Sequence, residues 1–189
     1  DHAGDIDPII AAGMAHYQFE TLHPFRDGNG RLGRFLIVLT LLSSGVLSEP
    51  TLTVSPWLEE RRAEYYDALL RVSTHGDWDT FLAFFSQGLA AAATSTRHQM
   101  LALAAAHQSL KETVRASSLR SAHALDLVDF AVANPSFTVR KVEAALGISY
   151  GRANGLVAQL TDIGVLDVVE TGSQPRRFAA PAVLKVLLA

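Results

Sequence analysis

The chain has 189 residues, 49% of them hydrophobic, and a formal net charge of −3 at pH 7. This length suits one ordinary domain or two small ones, and the composition excludes a disordered polypeptide. The sequence has no cysteine, which excludes disulfides, thiolate metal sites and a cysteine nucleophile and fits a reducing compartment. The missing cysteines favour the cytoplasm. No apolar run reaches the ~18 residues that span a bilayer, so we expect no membrane contact.

The first predicted helix begins at Asp7 and Pro8, because Asp caps free backbone amides and Pro suits the first helical position. It should end at His23, since a residue that precedes proline is pushed out of the α region. We expect one stripe of this helix to contain Ile10, Met14, Tyr17 or Gln18, and Leu22.

Three more helices are predicted before residue 95. The second, at residues 31–44, is too continuously apolar for a surface helix, so we place it at the centre of a bundle, ended by Gly45. A third should span roughly residues 56–74, and a fourth should follow Asp77 into an alanine-rich stretch. Strand patterns are absent from this region, so the sequence predicts a mainly α fold.

The composition shifts near residues 115–121. Three short helical segments, each stopped by Pro or Gly, then precede a two-stranded ribbon at residues 165–180. This is the order of elements in a winged helix. We therefore expect a helical bundle at residues 1–95, a connecting helix or linker at 96–120 and a small winged helix-turn-helix domain at 121–189.

The dodecapeptide HPFRDGNGRLGR carries most of the functional signal. Its segment Gly28–Gly30 lets the backbone approach a ligand, and the helix that begins there offers free amides and the positive end of its dipole. Arg31 and Arg34 lie on one face beside this cradle. Two cations at a helix N-terminus are unfavourable unless an anion lies nearby, and a polyphosphate would supply that anion.

Asp27 and His23 complete a candidate site for nucleotide chemistry. A carboxylate beside a phosphate is repulsive on its own, but Mg²⁺ bridging the two converts the repulsion into binding. A histidine, which ordinarily titrates near ~6.5, suits proton abstraction at neutral pH. An EF-hand loop is the alternative use of DGNG, and it fails because Phe25 and Leu36 would then occupy ligand positions.

The same dodecapeptide matches the Fic motif HxFx(D/E)GNGRxxR at every specified position. The segments HYQFE (residues 16–20) and EYYDAL (residues 64–69) also resemble parts of a Fic core, so the resemblance covers residues 7 to about 93. The tail is more weakly similar to the winged-helix domains that follow some bacterial Fic cores. The resemblance implies a Fic-type helical bundle that transfers AMP from ATP to a Ser, Thr or Tyr hydroxyl of a target protein, with pyrophosphate leaving.

The resemblance also implies a role for each motif residue. His23 would be the general base, Phe25 a buried anchor of the loop, and Asp27 the ligand of Mg²⁺. The residues implied to bind the phosphates of ATP are Gly28, Asn29, Gly30, Arg31 and Arg34. Tyr65 and Tyr66 would border the adenine, although use as core aromatics is equally open.

Three functions stay open on the sequence alone: a protein adenylyltransferase, a winged-helix DNA-binding regulator with a Fic-like sensing core, and a Fic core that removes AMP or transfers a related phosphate-linked group. The predicted helix at residues 150–163, with Arg176 and Arg177, offers a contact to DNA or protein, but a net charge near +1 beyond Arg115 is small for a DNA reader.

The apolar stripe at residues 81–110 would suit either a core or a homodimer. Fic cores usually include a β-hairpin flap and often an inhibitory helix. The sequence shows neither segment, and we expect the chain to be a fragment.

Overall fold

The computed structural model describes residues 6–169 and 175–188. The chain divides into two compact units between Arg97 and His98. Helices dominate the described residues, so the predicted mainly α class is confirmed. Within those residues, no helix is both long and apolar enough to cross a membrane.

Unit 1 is built from helices. Their bounds are α1 Pro8–Leu22, α2 Asn29–Ser43, α3 Ser55–Glu60, α4 Arg62–His75 and α5 Trp78–Ala116, of which α5 also contributes residues to unit 2. The single helix predicted for residues 56–74 is wrong, because the chain breaks at Arg61, whose φ of −111° and ψ of 33° are not helical. No Pro or Gly marks that break in the sequence.

Both ends of α1 follow the prediction. Asp7 Oδ1 accepts the Ile9 N–H at 2.8 Å and the Ile10 N–H at 3.4 Å, which caps the first turn. At the other end His23 takes a left-handed conformation with a φ of 43°, and its N–H donates to the Phe19 carbonyl. The helix therefore stops directly before the dodecapeptide turns.

The predicted apolar stripe of α1 is correct at Tyr17 but wrong at Met14 and Leu22. The residues that α1 buries are Ala12, Gly13, His16 and Tyr17, while Met14 and Leu22 are exposed. Small residues at 12 and 13 let α1 pack closely against its neighbours, and a Cβ on Gly13 would already touch Phe85 at 3.0 Å. The buried face is thus set by close approach rather than by side-chain hydrophobicity.

The placement of α2 at the centre of a bundle is also wrong. This helix buries Ile37, Val38 and Leu41, but Phe35 and Leu39 on its other side are exposed. Its predicted end is confirmed, since α2 stops at Ser43 and Gly45 follows with a φ of 75°. One face of α2 joins the core of unit 1, together with aromatic side chains of α4 and α5.

Unit 2 has the predicted order of three helices followed by a hairpin. Its elements after α5 are α6 Ala124–Ala133, α7 Val139–Leu146, α8 Tyr150–Asp162, β1 Asp167–Val168, β2 Phe178–Ala179 and α9 Pro181–Leu187. The two strands are antiparallel, and Phe137 also bridges to Phe178. Residues 170–174 of the predicted ribbon lie outside the described residues, and α9 was not predicted.

Candidate active site

The dodecapeptide forms the loop between α1 and α2 and the first turns of α2. Two left-handed residues shape this loop: His23 with a φ of 43° and Gly28 with a φ of 85°. Within the part of the chain that the structure describes, His23 is the one non-glycine residue in that conformation. A left-handed non-glycine backbone is uncommon and marks a place where the surroundings dictate the conformation.

Asn29 holds the loop in shape. Its side chain is buried, its Oδ1 accepts the Phe25 N–H at 3.0 Å, and its Nδ2 donates to the Phe25 carbonyl at 2.6 Å. The side-chain amide of Asn29 is therefore hydrogen-bonded to the loop backbone through both its oxygen and its nitrogen. The backbone N–H of Asn29 remains available to bind a phosphate.

The N-terminus of α2 presents free backbone amides. The first intrahelical bond runs from the Leu32 N–H to the Gly28 carbonyl at 3.0 Å, and no side chain caps the helix. The amides of residues 29–31 consequently have no partner within the helix. Gly28 differs, because its N–H donates to Asp27 Oδ1 at 2.7 Å. Three amides and the helix dipole thus form the anion cradle that the sequence predicts.

Both arginines fold back towards the cradle. A Cβ built on Gly28 would lie 3.5 Å from Arg31 Nη2, and one built on Gly30 would lie 3.3 Å from Arg34 Nη1. The missing side chain at Gly30 therefore makes room for the Arg34 guanidinium, whereas a Cβ at Gly28 would make ordinary contact with Arg31. A cavity of about 250 Å³ adjoins both arginines and is lined on its other side by Pro50 and residues 52–55.

Asp27 fits a magnesium ligand of the kind that works with a bound phosphate. Its side chain is 93% exposed and forms a 3.5 Å ion pair with Arg31, which adds little stability at such exposure. The described residues contain no cluster of three ligating side chains. Mg²⁺ often binds through one or two carboxylates and completes its shell with phosphate oxygens and waters, so a single carboxylate beside a cradle is sufficient.

His23 and Phe25 are both exposed. The imidazole of His23 can therefore be reached by a hydroxyl group from outside the chain. The implied role of Phe25 as a buried anchor is wrong, since 51% of its surface is accessible; its ring centroid lies 6.3 Å from that of Phe19. Asn29 anchors the loop instead, through the Phe25 backbone rather than its ring.

The two tyrosines implied for the adenine border lie in different environments. Tyr65 is buried, its hydroxyl lies 2.9 Å from His16 Nε2, and burial raises its pKa above the ordinary value. Tyr66 is 54% exposed, with the Arg62 guanidinium 5.6 Å from its ring centroid. Of the pair, Tyr66 is the one that a ligand can reach, and Tyr65 occupies the core.

A polar cluster behind α2 was not predicted. His16 is fully buried, and desolvation lowers its pKa from 6.5 to about 4. Its Nδ1 has no hydrogen bond of good geometry within the described residues, although the Gly33 backbone lies close enough to favour the protonated form. Glu20 Oε1 is likewise buried without a partner there. Gly33, inside the apolar α2 segment, was the one sequence signal that His16 and Glu20 of α1 approach α2 closely.

Residues 1–41, which include the whole dodecapeptide, match the family model described as the Fic/DOC family. Protein adenylyltransferase fic-1 of Caenorhabditis elegans is 42% identical over 82 residues, which are 43% of this chain and 15% of that protein. The first part of the chain is thus similar to the Fic/DOC family. Protein adenylyltransferase Fic of Drosophila virilis is also similar, with 31% identity over 86 residues that make up 46% of this chain and 16% of that protein.

The match spans a small part of the length of these curated relatives. A crystal structure of a Fic family protein from Desulfovibrio desulfuricans G20 is similar over 95% of this chain and 51% of that chain, with a TM-score of 0.46 and 22% sequence identity. The family resemblance read from the dodecapeptide is confirmed. The winged-helix assignment of residues 121–189 stays a prediction.

Proposed function

We propose that this chain is the nucleotide-binding part of a protein adenylyltransferase that transfers AMP from ATP to a Ser, Thr or Tyr hydroxyl of a target protein. The observation that carries the proposal is the cradle of three free amides at the start of α2, flanked by two arginines. The names of the two similar proteins, both protein adenylyltransferases, support the same reaction.

The phosphate chain of ATP would lie against the amides of residues 29–31. Arg31 and Arg34 would bind its outer phosphates, where negative charge grows as pyrophosphate leaves. Preorganised charge of this kind is the main contribution a protein makes to phosphoryl-type transfer. Asp27 would hold Mg²⁺, which neutralises phosphate charge when bound.

His23 would act as the general base. The target hydroxyl oxygen attacks the α-phosphorus of ATP, the bond from that phosphorus to the bridging oxygen breaks, and pyrophosphate departs. The proton of the hydroxyl passes to the imidazole. A positioned base contributes about 10²- to 10⁴-fold to such a step. Tyr66 would border the adenine, since it is the exposed member of the tyrosine pair.

The test compares ATP radiolabelled at the α- and at the γ-phosphorus, incubated with the chain, Mg²⁺ and a protein extract. We expect protein-bound label from the α-labelled nucleotide alone. His23→Ala should lower this labelling by about 10²- to 10⁴-fold while calorimetry still detects ATP binding. His98→Ala, at an exposed histidine on α5, is the matched control and should label like the original chain.

Label from γ-labelled ATP would contradict AMP transfer, and undiminished labelling by His23→Ala would contradict the base role. Loss of AMP from a premodified protein would instead favour the reverse reaction. A homodimer, contact of unit 2 with DNA or protein, and a cytoplasmic location stay predictions.

A further inference from the structure

A polar cavity in unit 2 lies outside the candidate active site. Its volume is about 430 Å³, which suits a small-molecule ligand. Three parts of the chain form its walls: the start of α7, the first turns of α8 and the residues just before β2. The side chains that matter for a ligand belong to Thr138, Arg140, Tyr150, Asn154 and Arg176, and Phe178 also contributes to the lining.

Hydrogen bonds fix the spacing of these walls. Phe137 and Phe178, which are both buried, exchange two backbone hydrogen bonds of 2.9 and 2.8 Å. Arg177 Nε also donates to Ser136 Oγ at 2.8 Å. These contacts tie β2 and the residue before it to the segment that leads into α7. The cavity is therefore formed before a ligand arrives, as is usual for small-molecule sites.

Two arginines give the cavity positive charge. Arg140 lies in the first turn of α7, and Arg176 lies two residues before β2. Arg140 Nη1 donates to Glu143 Oε2 at 2.9 Å. A guanidinium has five N–H donors, so this ion pair leaves further donors of Arg140 for a ligand. Two guanidinium groups from separate elements can bind one phosphate group from two sides.

The start of α7 adds hydrogen-bond donors to the same cavity. Its first intrahelical bonds run from the Lys141 and Val142 N–H groups to the Thr138 carbonyl, at 3.0 and 3.3 Å. The amides of residues 139 and 140 consequently have no partner within the helix. The Thr138 side chain does not cap α7. Together with the two arginines, these groups favour a compact anion over a neutral ligand.

The α8 wall favours a ligand that also has a planar ring. Tyr150 and Asn154 are four residues apart on this helix and therefore lie on one face. Tyr150 is 44% exposed, and the Arg140 guanidinium lies 4.5 Å from the centroid of its ring. An exposed aromatic ring can stack on a nucleobase. The side-chain amide of Asn154 carries both a donor and an acceptor, which can pair with the edge of such a base.

We propose that this cavity binds a nucleoside monophosphate, with the phosphate at Arg140, Arg176 and the start of α7 and the base at Tyr150 and Asn154. It would be a nucleotide site separate from the cradle of α2, and the proposed reaction does not require it. Duplex DNA carries the same chemical groups. A long polyanion needs many cations, however, and the net charge beyond Arg115 is near +1, whereas a single phosphate needs only the two arginines.

Calorimetry with AMP as the probe tests the proposal on the whole chain. We expect saturable binding of AMP and weaker binding of adenosine and of inorganic phosphate, because each of these keeps only part of the contacts. Arg176→Gln and Tyr150→Leu should each lower the affinity for AMP about 10-fold, through loss of a charge-assisted hydrogen bond or of a stacking contact. Arg152→Gln is the matched control, since this exposed arginine of α8 lines a different cavity, and it should bind AMP like the original chain.

Backbone amide signals recorded by NMR show where AMP binds. The amides of Val139 and Arg140 should shift, and their shifts should persist in Arg34→Gln, which alters the candidate active site instead. AMP binding that Arg34→Gln abolishes and Arg176→Gln leaves unchanged would overturn the proposal, because the nucleotide would then occupy unit 1. Salt-dependent binding of duplex DNA, without saturable binding of AMP at millimolar concentration, would overturn it in favour of nucleic acid.

Discussion

Replacement of Gly33 by alanine tests how α1 and α2 pack behind the candidate site. In an open helix this change stabilises by about 1 kcal/mol, because glycine is the poorer helix former. At Gly33 the new Cβ would instead collide with Glu20 Oε1 and approach His16 Cε1 to 3.2 Å. Overpacking of this kind costs about 1 to 3 kcal/mol. We therefore expect net destabilisation of unit 1 by up to about 2 kcal/mol.

Gly155→Ala in α8 is the matched control, since a Cβ there meets nothing within 4 Å. It should stabilise unit 2 by up to about 1 kcal/mol. Both tryptophans, Trp57 and Trp78, lie in unit 1, so urea denaturation followed by their fluorescence reports on that unit, and far-UV circular dichroism reports on both.

In Gly33→Ala the new Cβ collides with the Glu20 side chain, and a second substitution can remove that side chain. Adding Glu20→Ala to Gly33→Ala should recover part of the lost stability, because the colliding oxygen is then absent. If Gly33→Ala stabilises unit 1 as Gly155→Ala stabilises unit 2, the close approach of Glu20 to α2 does not exist and the polar cluster must be rearranged.

Three further changes test other parts of the site. Burial lowers the pKa of His16 to about 4 in the fold, so the neutral imidazole stabilises the fold fully above pH ~6.5, and this contribution is lost as pH falls towards 4. The free energy of unfolding, measured by urea denaturation with tryptophan fluorescence, should fall by about 3 kcal/mol over that range. A free energy that does not change with pH would contradict the burial of a neutral imidazole. Asn29→Ala removes both hydrogen bonds to the Phe25 backbone, so it should lower the free energy of unfolding by about 1 to 3 kcal/mol in the same urea experiment. It should also weaken Mg-ATP binding measured by calorimetry. Unchanged binding would argue against this loop as the ATP site. Tyr66→Ala should weaken ATP binding and leave the stability of unit 1 unchanged. Tyr65→Phe loses the hydrogen bond to His16, so it should lower the stability and leave ATP binding unchanged. Weaker ATP binding by Tyr65→Phe but not by Tyr66→Ala would assign the adenine border to Tyr65.

Local rules predict the helix ends around the candidate site. Asp7 with Pro8, a histidine before Pro24 and Gly45 each act within a few residues, so the bounds of α1 and the end of α2 can be derived from the sequence. The amide cradle follows in the same way, because glycine before a helix start leaves its first amides open.

Packing between helices could not be predicted in the same way. The buried face of α1 is set by small residues that approach α5, and Met14 is exposed although it is strongly apolar. The break at Arg61 has no local signal, and the burial of Tyr65 rather than Tyr66 depends on His16, which lies 49 residues earlier in the chain. Glu20 was missed because an acid near a helix end ordinarily faces water.

We expect the phosphates of ATP to lie on the backbone amides at the start of α2. Backbone amide signals recorded by NMR during titration with Mg-ATP test it most directly. We expect the largest saturable shifts at Asn29, Gly30 and Arg31, and we expect Arg34→Gln to lower the affinity for Mg-ATP that these shifts report. Saturable shifts elsewhere with these three amides unchanged, or no shifts at all at millimolar nucleotide, would contradict it.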